Sequence, residues 1–225
     1  MGVVVACTVL VLWLGSLAAL LVRGVSGMHP ALVVLLVLGR TWLTAGLFIT
    51  AHDAMHRSVS RHRLVNDALG YVACFLFAAM SYGRLVRNHG RHHAAPGTPD
   101  DPDYCARSQS FAVWFLTFMA RYTTVLQVVT MAVLYNLLHL RVDDGTLWAF
   151  WVGPALLASV QLFFFGTYLP HRPPHTAAMG EHRARSLRRG HAVALITCFF
   201  FGYHREHHEG PGVPWWRLWQ APAAL

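Results

Sequence analysis

What this chain can fold into is constrained first by apolar runs that are too long for a soluble core. A helix rises 1.5 Å per residue, so about 20 apolar residues in succession cross about 30 Å of hydrocarbon. Residues 3–22, 31–50, 122–140 and 147–169 reach that length. Inside lipid every backbone N–H and C=O must be satisfied within the segment, which a helix does by itself. The first run differs from a signal peptide. It is longer than an h-region, no charged start precedes it and no small-residue cleavage site follows, so it reads as a span. Residues 64–83 and 190–202 are apolar but shorter or interrupted, and are expected at the interface or at the end of the bundle. Only 12% of residues are charged, against about 25% in a soluble domain, so much of the surface faces something other than water. Without an internal repeat, low-complexity tract or linker, residues 1–225 read as one all-α membrane domain.

A net charge of +8 could suggest a nucleic-acid partner, but the placement of the charges argues against one. All eighteen basic residues are arginine. If four spans form two hairpins, Arg57, Arg61, Arg63, Arg84, Arg87, Arg91, Arg107, Arg172, Arg183, Arg185, Arg188, Arg189, Arg205 and Arg217 fall on one side, and only Arg23 and Arg141 on the other. This is the positive-inside pattern, so the arginine-rich side is expected to be cytoplasmic and both termini with it. Arg121 reads as the break between an interfacial helix (residues 111–120) and the span after it; Arg40, within a hydrophobic run, has no account at this level. Cys7, Cys74, Cys105 and Cys198 form no Cys-x-x-Cys pair and suggest neither a disulfide frame nor a thiolate metal site.

Histidine carries the chemistry. His52 and His56 form H-x-x-x-H at the end of the second span; His89, His92 and His93 form H-x-x-H-H, and His204, His207 and His208 repeat it. Positions i, i+3 and i+4 lie on one helical face, so each box is expected to contribute a tight cluster. All three boxes fall on the arginine-rich side. A single box at a membrane edge is more often an interfacial pair than a ligand set, but three together would accumulate charge as they protonate unless a metal held them neutral. One zinc uses three or four ligands and leaves most of these imidazoles idle, whereas two metals use them. Imidazole suits zinc, copper, iron and nickel alike, so iron follows from the chemistry: an unactivated C–H bond in an apolar substrate needs activated oxygen, which redox-inert zinc cannot supply.

Five stretches carry a resemblance. They are Phe48-Ile49-Thr50-Ala51-His52-Asp53-Ala54-Met55-His56; His89-Gly90-Arg91-His92-His93 with the following Ala94-Ala95-Pro96-Gly97-Thr98-Pro99-Asp100-Asp101-Pro102-Asp103; Phe165-Gly166-Thr167-Tyr168-Leu169-Pro170-His171-Arg172; residues 198–208; and Pro214-Trp215-Trp216-Arg217-Leu218-Trp219. The histidine boxes resemble those of the membrane fatty acid desaturase and hydroxylase superfamily. The Pro-Gly-Thr-Pro-Asp-Asp-Pro-Asp run and the Pro-His-Arg element are similar to the bacterial β-carotene ketolases, over residues 40–219 or so.

That resemblance implies a ninth ligand, His171, and a bundle of about four transmembrane helices in two hairpins, with a histidine-rich metal-binding cap on the cytoplasmic side of a bacterial inner membrane. It implies two non-haem iron ions, O2 as co-substrate and a carotenoid taken from the bilayer. Hydrogen is removed from allylic ring carbon 4, hydroxyl returns, and a second round yields a geminal diol that loses water to a ketone. The chain has no flavin, haem or cysteine-cluster signature, so electrons must come from an external donor of the ferredoxin type, which the basic face would suit. Asp53, Asp100, Asp101, Asp103 and Glu206 lie beside the boxes and are candidates to orient the ligands. His182 and Arg205 depart from the ketolase pattern, where a further histidine is expected beside or in place of each. A carotenoid β-ring hydroxylase or a fatty acid desaturase would share the metal site. A membrane metal or haem carrier would need ionisable groups along the spans, which apart from Arg40 are nearly absent. Trp215, Trp216 and Trp219 around Arg217 read either as an interfacial anchor or as packing against the cap.

Overall fold

The computed structural model describes residues 1–187 and 190–221, and over them it consists of helices and loops. Arg188 and Arg189, counted above on the arginine-rich side, lie outside the described residues. In chain order the helices are α1 (Gly2–Arg23), α2 (Pro30–Met55), α3 (Arg63–Ala78), α4 (Tyr82–Ala94), α5 (Phe111–Tyr122), α6 (Val125–His139), a rod α7 (Asp144–His171), α8 (His191–Cys198) and α9 (His204–Glu209).

Three of these are long and apolar enough to cross a membrane: α1, α2 and α7. The run at residues 122–140, expected as a span, is different. Its helix α6 has 15 residues, about 22 Å, short of the hydrocarbon thickness, and it meets α5 at 87°. The break falls at Thr123 and Thr124, two residues beyond the position expected at Arg121. Thr124 caps α6 by accepting from the Gln127 N–H at 3.1 Å, and Arg121 turns its guanidinium away to the carbonyls of Pro102 (2.8 Å) and Tyr104 (2.7 Å). A second bent pair, α3 and α4, turns through 102°, so three helices, or up to five segments if each bent pair is one span, are long and apolar enough to cross. No residue of α6 is buried, and Val125, Leu126, Val129, Val133 and Leu137 present an apolar surface suited to lipid.

α2 is the hub, with α1, α3 and α7 packed around it. At one end the start of α1 abuts Val59, just past the end of α2. At the other end the Val25 N–H donates to Thr146 Oγ1 at 2.8 Å, joining the α1–α2 loop to the start of α7, which Asp143 caps. The two arginine-poor loops therefore share one end and the histidine boxes the other.

Prolines shape the rod. α7 contains two π-helical segments, Trp148–Val152 and Phe164–Tyr168, and each is followed within two residues by a proline, Pro154 and Pro170. Proline has no N–H for the carbonyl four residues back and its ring crowds that carbonyl, so the helix widens. For Pro154 that carbonyl belongs to Phe150, and Arg40 Nε donates to it at 3.1 Å. Arg40 is 2% exposed. Its Nη1 reaches the Trp13 carbonyl at 2.7 Å and Ser16 Oγ at 2.8 Å, and its guanidinium lies 4.6 Å from the Trp13 ring centre. The buried arginine is thus a clamp across α1, α2 and α7 that satisfies a carbonyl freed by proline.

Candidate metal centre

The lengths of the helices bring the histidines together. α2 and α7 have 26 and 28 residues, about 39 and 42 Å, so their C-terminal turns extend past one hydrocarbon thickness and carry His52 and His171 into the polar end. α4 crosses that end after the bend from α3, and α9 follows a turn in which Phe199 and Phe200 both adopt left-handed φ, 46° and 60°.

Nine imidazoles meet there in two groups. His52, His56, His89, His93 and His207 form one; His92, His171, His204 and His208 form the other; within each, the ligand nitrogens lie within 4.8 Å of one another. The boxes do not each contribute one cluster, as the shared-face argument expects. On an α-helix, neighbours three and four apart still diverge by about 100° from each other, so i+3 and i+4 aim at different points. α4 sends His89 and His93 to the first group and His92 to the second; α9 sends His204 and His208 to the second and His207 to the first. Each H-x-x-H-H box bridges both groups.

The donor set fits cations. His171 Nδ1 donates to the Arg183 carbonyl at 3.1 Å, and His92 Nδ1 donates to both oxygens of Asp101 at 3.0 Å, which leaves their Nε2 atoms as bare lone pairs. His171 Nε2 faces His204 Nε2 at 2.8 Å, and His92 Nε2 faces His208 Nε2 at 3.1 Å. In the first group His56 and His89 are 2.8 Å apart, and His93 is 3.1 Å from His89 and 3.0 Å from His207. Two nitrogens each about 2.1 Å from one ion and at right angles lie about 3.0 Å apart, the spacing seen here. Both ring nitrogens of His52 are buried without a partner among the described residues, as are Nδ1 of His204 and of His208. Burial beside one another holds His204, His207 and His208 well below the usual histidine range, and burial takes His93 down to about 3, which favours the neutral form that a metal ligand requires. Burial also pulls on His92, but the Asp103 charge and the hydrogen bond to Asp101 outweigh it and raise its pKa.

The candidate carboxylates separate by environment. Asp101 is buried and, besides the His92 N–H, accepts the N–H groups of Gly97 and Asp103, each at 2.8 Å, so it holds both the His92 ring and its own loop. Asp103 accepts from the Tyr122 hydroxyl, its backbone carbonyl accepts from Trp114 Nε1 at 2.6 Å, and burial raises its carboxyl to about 6. Asp53 lies 3.8 Å from His52 and accepts from the Trp215 N–H at 3.2 Å. Glu206 is buried and accepts from the Ser186 hydroxyl. Asp100 is exposed, its backbone carbonyl accepting from Arg91 at 3.3 Å. His175 donates to the His171 carbonyl at 2.9 Å and belongs to neither group, whereas His182 stacks on His208 with ring centres 5.5 Å apart. Tyr122, Trp114 and the Arg183 carbonyl were not legible as site residues: no spacing in the sequence relates them to the boxes. Trp215 packs on Phe199 at 5.1 Å while Trp219 is exposed, so the C-terminal tryptophans divide between cap packing and surface.

Below the histidines an apolar cavity of about 260 Å³ runs along α7. It reaches His52 and His89 of one group and His92 and His204 of the other. Phe48, Phe77, Phe118 and Phe163 line its body, and it extends to Leu156, which is 54% exposed on the apolar outer surface.

Comparison with known proteins agrees with this architecture. The profile of the family described as fatty acid desaturase matches residues 26–143 and 120–224. The chain is 44% identical over 193 residues to the β-carotene ketolase of Paracoccus sp. (strain N81106 / MBIC 01143), covering 84% of this chain and 79% of that one. It is 36% identical over 235 residues to the zeaxanthin 4-ketolase of Chlamydomonas reinhardtii (96% and 52%), and 36% identical over 208 residues to the β-carotene ketolase of Haematococcus lacustris (89% and 64%). No solved structure matches the chain.

Proposed function

The chain belongs to the fatty acid desaturase family, as a carotenoid ketolase of that family, and on this premise we propose how its residues carry out oxidation at carbon 4 of a β-ionone ring. The observation that carries the reading is the cavity: an apolar channel that opens toward the lipid-facing surface and ends on imidazoles of both groups. A carotenoid offers no charge to bind and is held by apolar burial, about 25 cal/mol per Å² removed from water or its equivalent in packing. Its ring end would lie against His52, His89, His92 and His204, with the polyene passing Phe163 and Leu156 into the bilayer.

His52, His56, His89, His93 and His207 would hold one iron, and His92, His171, His204 and His208 the other. Bound there, the two irons supply the activated oxygen that an unactivated C–H bond requires. Asp101 orients His92 and the Arg183 carbonyl orients His171, which fixes the tautomer that offers Nε2 to the metal. The phenylalanines of the cavity exclude water from the reacting end. Electrons would come from an acidic one-electron donor protein docking on the arginine-rich end, and that end would face the cytoplasm of a bacterium, with the protein in its inner membrane. The whole chain would act as one domain.

Expression in a bacterium that makes β-carotene, with chromatography and mass analysis of the pigments, tests the reading. A ketone at ring carbon 4 is expected. A pigment hydroxylated only at carbon 3 would replace it with the ring-hydroxylase alternative.

A further inference from the structure

The ketone needs two oxidations at the same carbon, and the structure contains a group placed to keep the substrate in position between them. In the first, one atom of O2 enters a C4–H bond and the other leaves as water, two electrons coming from the donor protein and two protons from solvent; the product is an alcohol. The second consumes the same reactants at the remaining C4–H bond and gives a geminal diol, which loses water to the ketone. After the first step the ring carries a hydroxyl in a cavity walled almost wholly by carbon, where a polar group without a partner costs about 1–3 kcal/mol. An alcohol left unpaired there has reason to leave before the second step.

Thr167 is the hydroxyl positioned to meet it. It lines the cavity, is 8% exposed, and among the described residues its side chain has no hydrogen-bond partner. That is unusual for a helical threonine or serine in this protein: Thr41, Thr44, Thr50, Ser159 and Thr197 each donate to the carbonyl four residues back, at 2.7–2.9 Å. Thr167 lies in the π-helical segment Phe164–Tyr168, where the wider turn displaces the carbonyl that a back-bond would use. Pro170, three residues on, enforces the widening. Thr167 also stands one turn before His171 and on the same face, at the metal end of the cavity; Ser159, the other α7 hydroxyl on the cavity, lies about 12 Å further along the rod and is already back-bonded. The Tyr122 hydroxyl, on another lining residue, spends its proton on Asp103; Thr123 and Gln127 at the α5–α6 break also line the cavity, the latter with a buried Oε1 lacking a partner among the described residues, but neither stands on a helix that carries one of the nine histidines. Thr167 therefore offers a donor and an acceptor that nothing in the fold consumes.

We propose that Thr167 binds the hydroxyl of the 4-hydroxy intermediate and so commits the ring to a second oxidation at carbon 4. This rests on the ketolase reading. The threonine touches the intermediate and does not touch the unoxidised ring in a polar way, so its loss should affect the second step more than the first.

Thr167→Val keeps the shape and removes the hydroxyl; Thr167→Ser keeps the hydroxyl and loses the methyl. Both are compared with the unmodified chain in β-carotene-producing cells, with iron content measured on purified protein to establish that the centre is intact. The expected result is that Thr167→Val consumes β-carotene at a rate within about twofold of the unmodified chain and raises the ratio of 4-hydroxy to 4-keto pigment about tenfold or more, and that Thr167→Ser restores the original ratio. If Thr167→Val retains iron and its hydroxy-to-keto ratio is unchanged, the proposal is overturned. It is also overturned if Thr167→Val and Thr167→Ser lose both oxidations in proportion, because the residue then acts through packing. If the unmodified chain forms no 4-keto pigment, the ketolase reading itself fails, an outcome distinct from either of these.

Discussion

At the scale of single residues, adjacent acids with the same sequence context have different consequences. Asp100 and Asp101 stand in one Pro-Asp-Asp-Pro run and are indistinguishable by spacing. Yet Asp101 accepts from His92 and from two backbone N–H groups, while Asp100 is exposed. A carboxylate that orients a ligand is worth about 10–100-fold in metal affinity. Asp101→Asn is therefore expected to lower metal affinity by that factor and to loosen the loop that carries Asp103 into the cavity. Asp100→Asn should leave metal content and pigment conversion within about twofold. Metal analysis of the two purified variants compares them directly; equal occupancy in both would remove Asp101 from the site's architecture.

At the scale of elements, the rod α7 and its arginine clamp explain each other. Pro154 takes away the helical donor for the Phe150 carbonyl and Arg40 replaces it. Arg40→Met should leave that carbonyl unpaired in the bundle interior and destabilise the protein by about 1–3 kcal/mol, with further loss from Trp13 and Ser16. Pro154→Ala restores a backbone N–H at that position. In the Arg40→Met background it should therefore recover part of the lost stability, a coupling of about 1 kcal/mol or more. Thermal melting in detergent of the two single variants and the double variant measures it. Strict additivity would mean that the arginine and the proline are independent.

At the scale of the whole molecule, the two groups of imidazoles predict stoichiometry. Purified protein should carry close to two irons per chain, and His207→Ala, which removes the only α9 contribution to the five-histidine group, should lower iron content and abolish oxidation. One zinc per chain, or full activity in His207→Ala, would overturn the assignment. The arrangement of the ends makes a second prediction. The α1–α2 loop and the start of α7 touch, and the boxes lie at the opposite end, so a reporter fused at Asp143 should sit outside and one fused after Trp219 inside. Finding the Asp143 loop on the cytoplasmic side would reverse the orientation.

The amino-acid sequence by itself determined the parts of this protein that depend on local period and length. Runs of about 20 apolar residues specify α1, α2 and α7 because helix rise and bilayer thickness are constants, and the i, i+3, i+4 spacing selects the box histidines because it places them on one side of a helix. The helix break beside Arg121 was legible for the same reason. Only the tertiary structure decided how those histidines are shared. The divergence between i+3 and i+4 becomes a division into two groups only when α4 and α9 approach from different directions. The same holds for what joins distant parts of the chain: Arg40 to the Phe150 carbonyl, Asp101 and not Asp100 to His92, Tyr122 to Asp103, and the free hydroxyl of Thr167. α6 is shorter than the run at residues 122–140 because Tyr122 closes α5 and Thr123 and Thr124 form the bend, beside which Arg121 reaches across to the second-box loop. Contacts of that kind depend on the direction in which a side chain leaves the backbone relative to another element, and no period in a linear sequence encodes that direction.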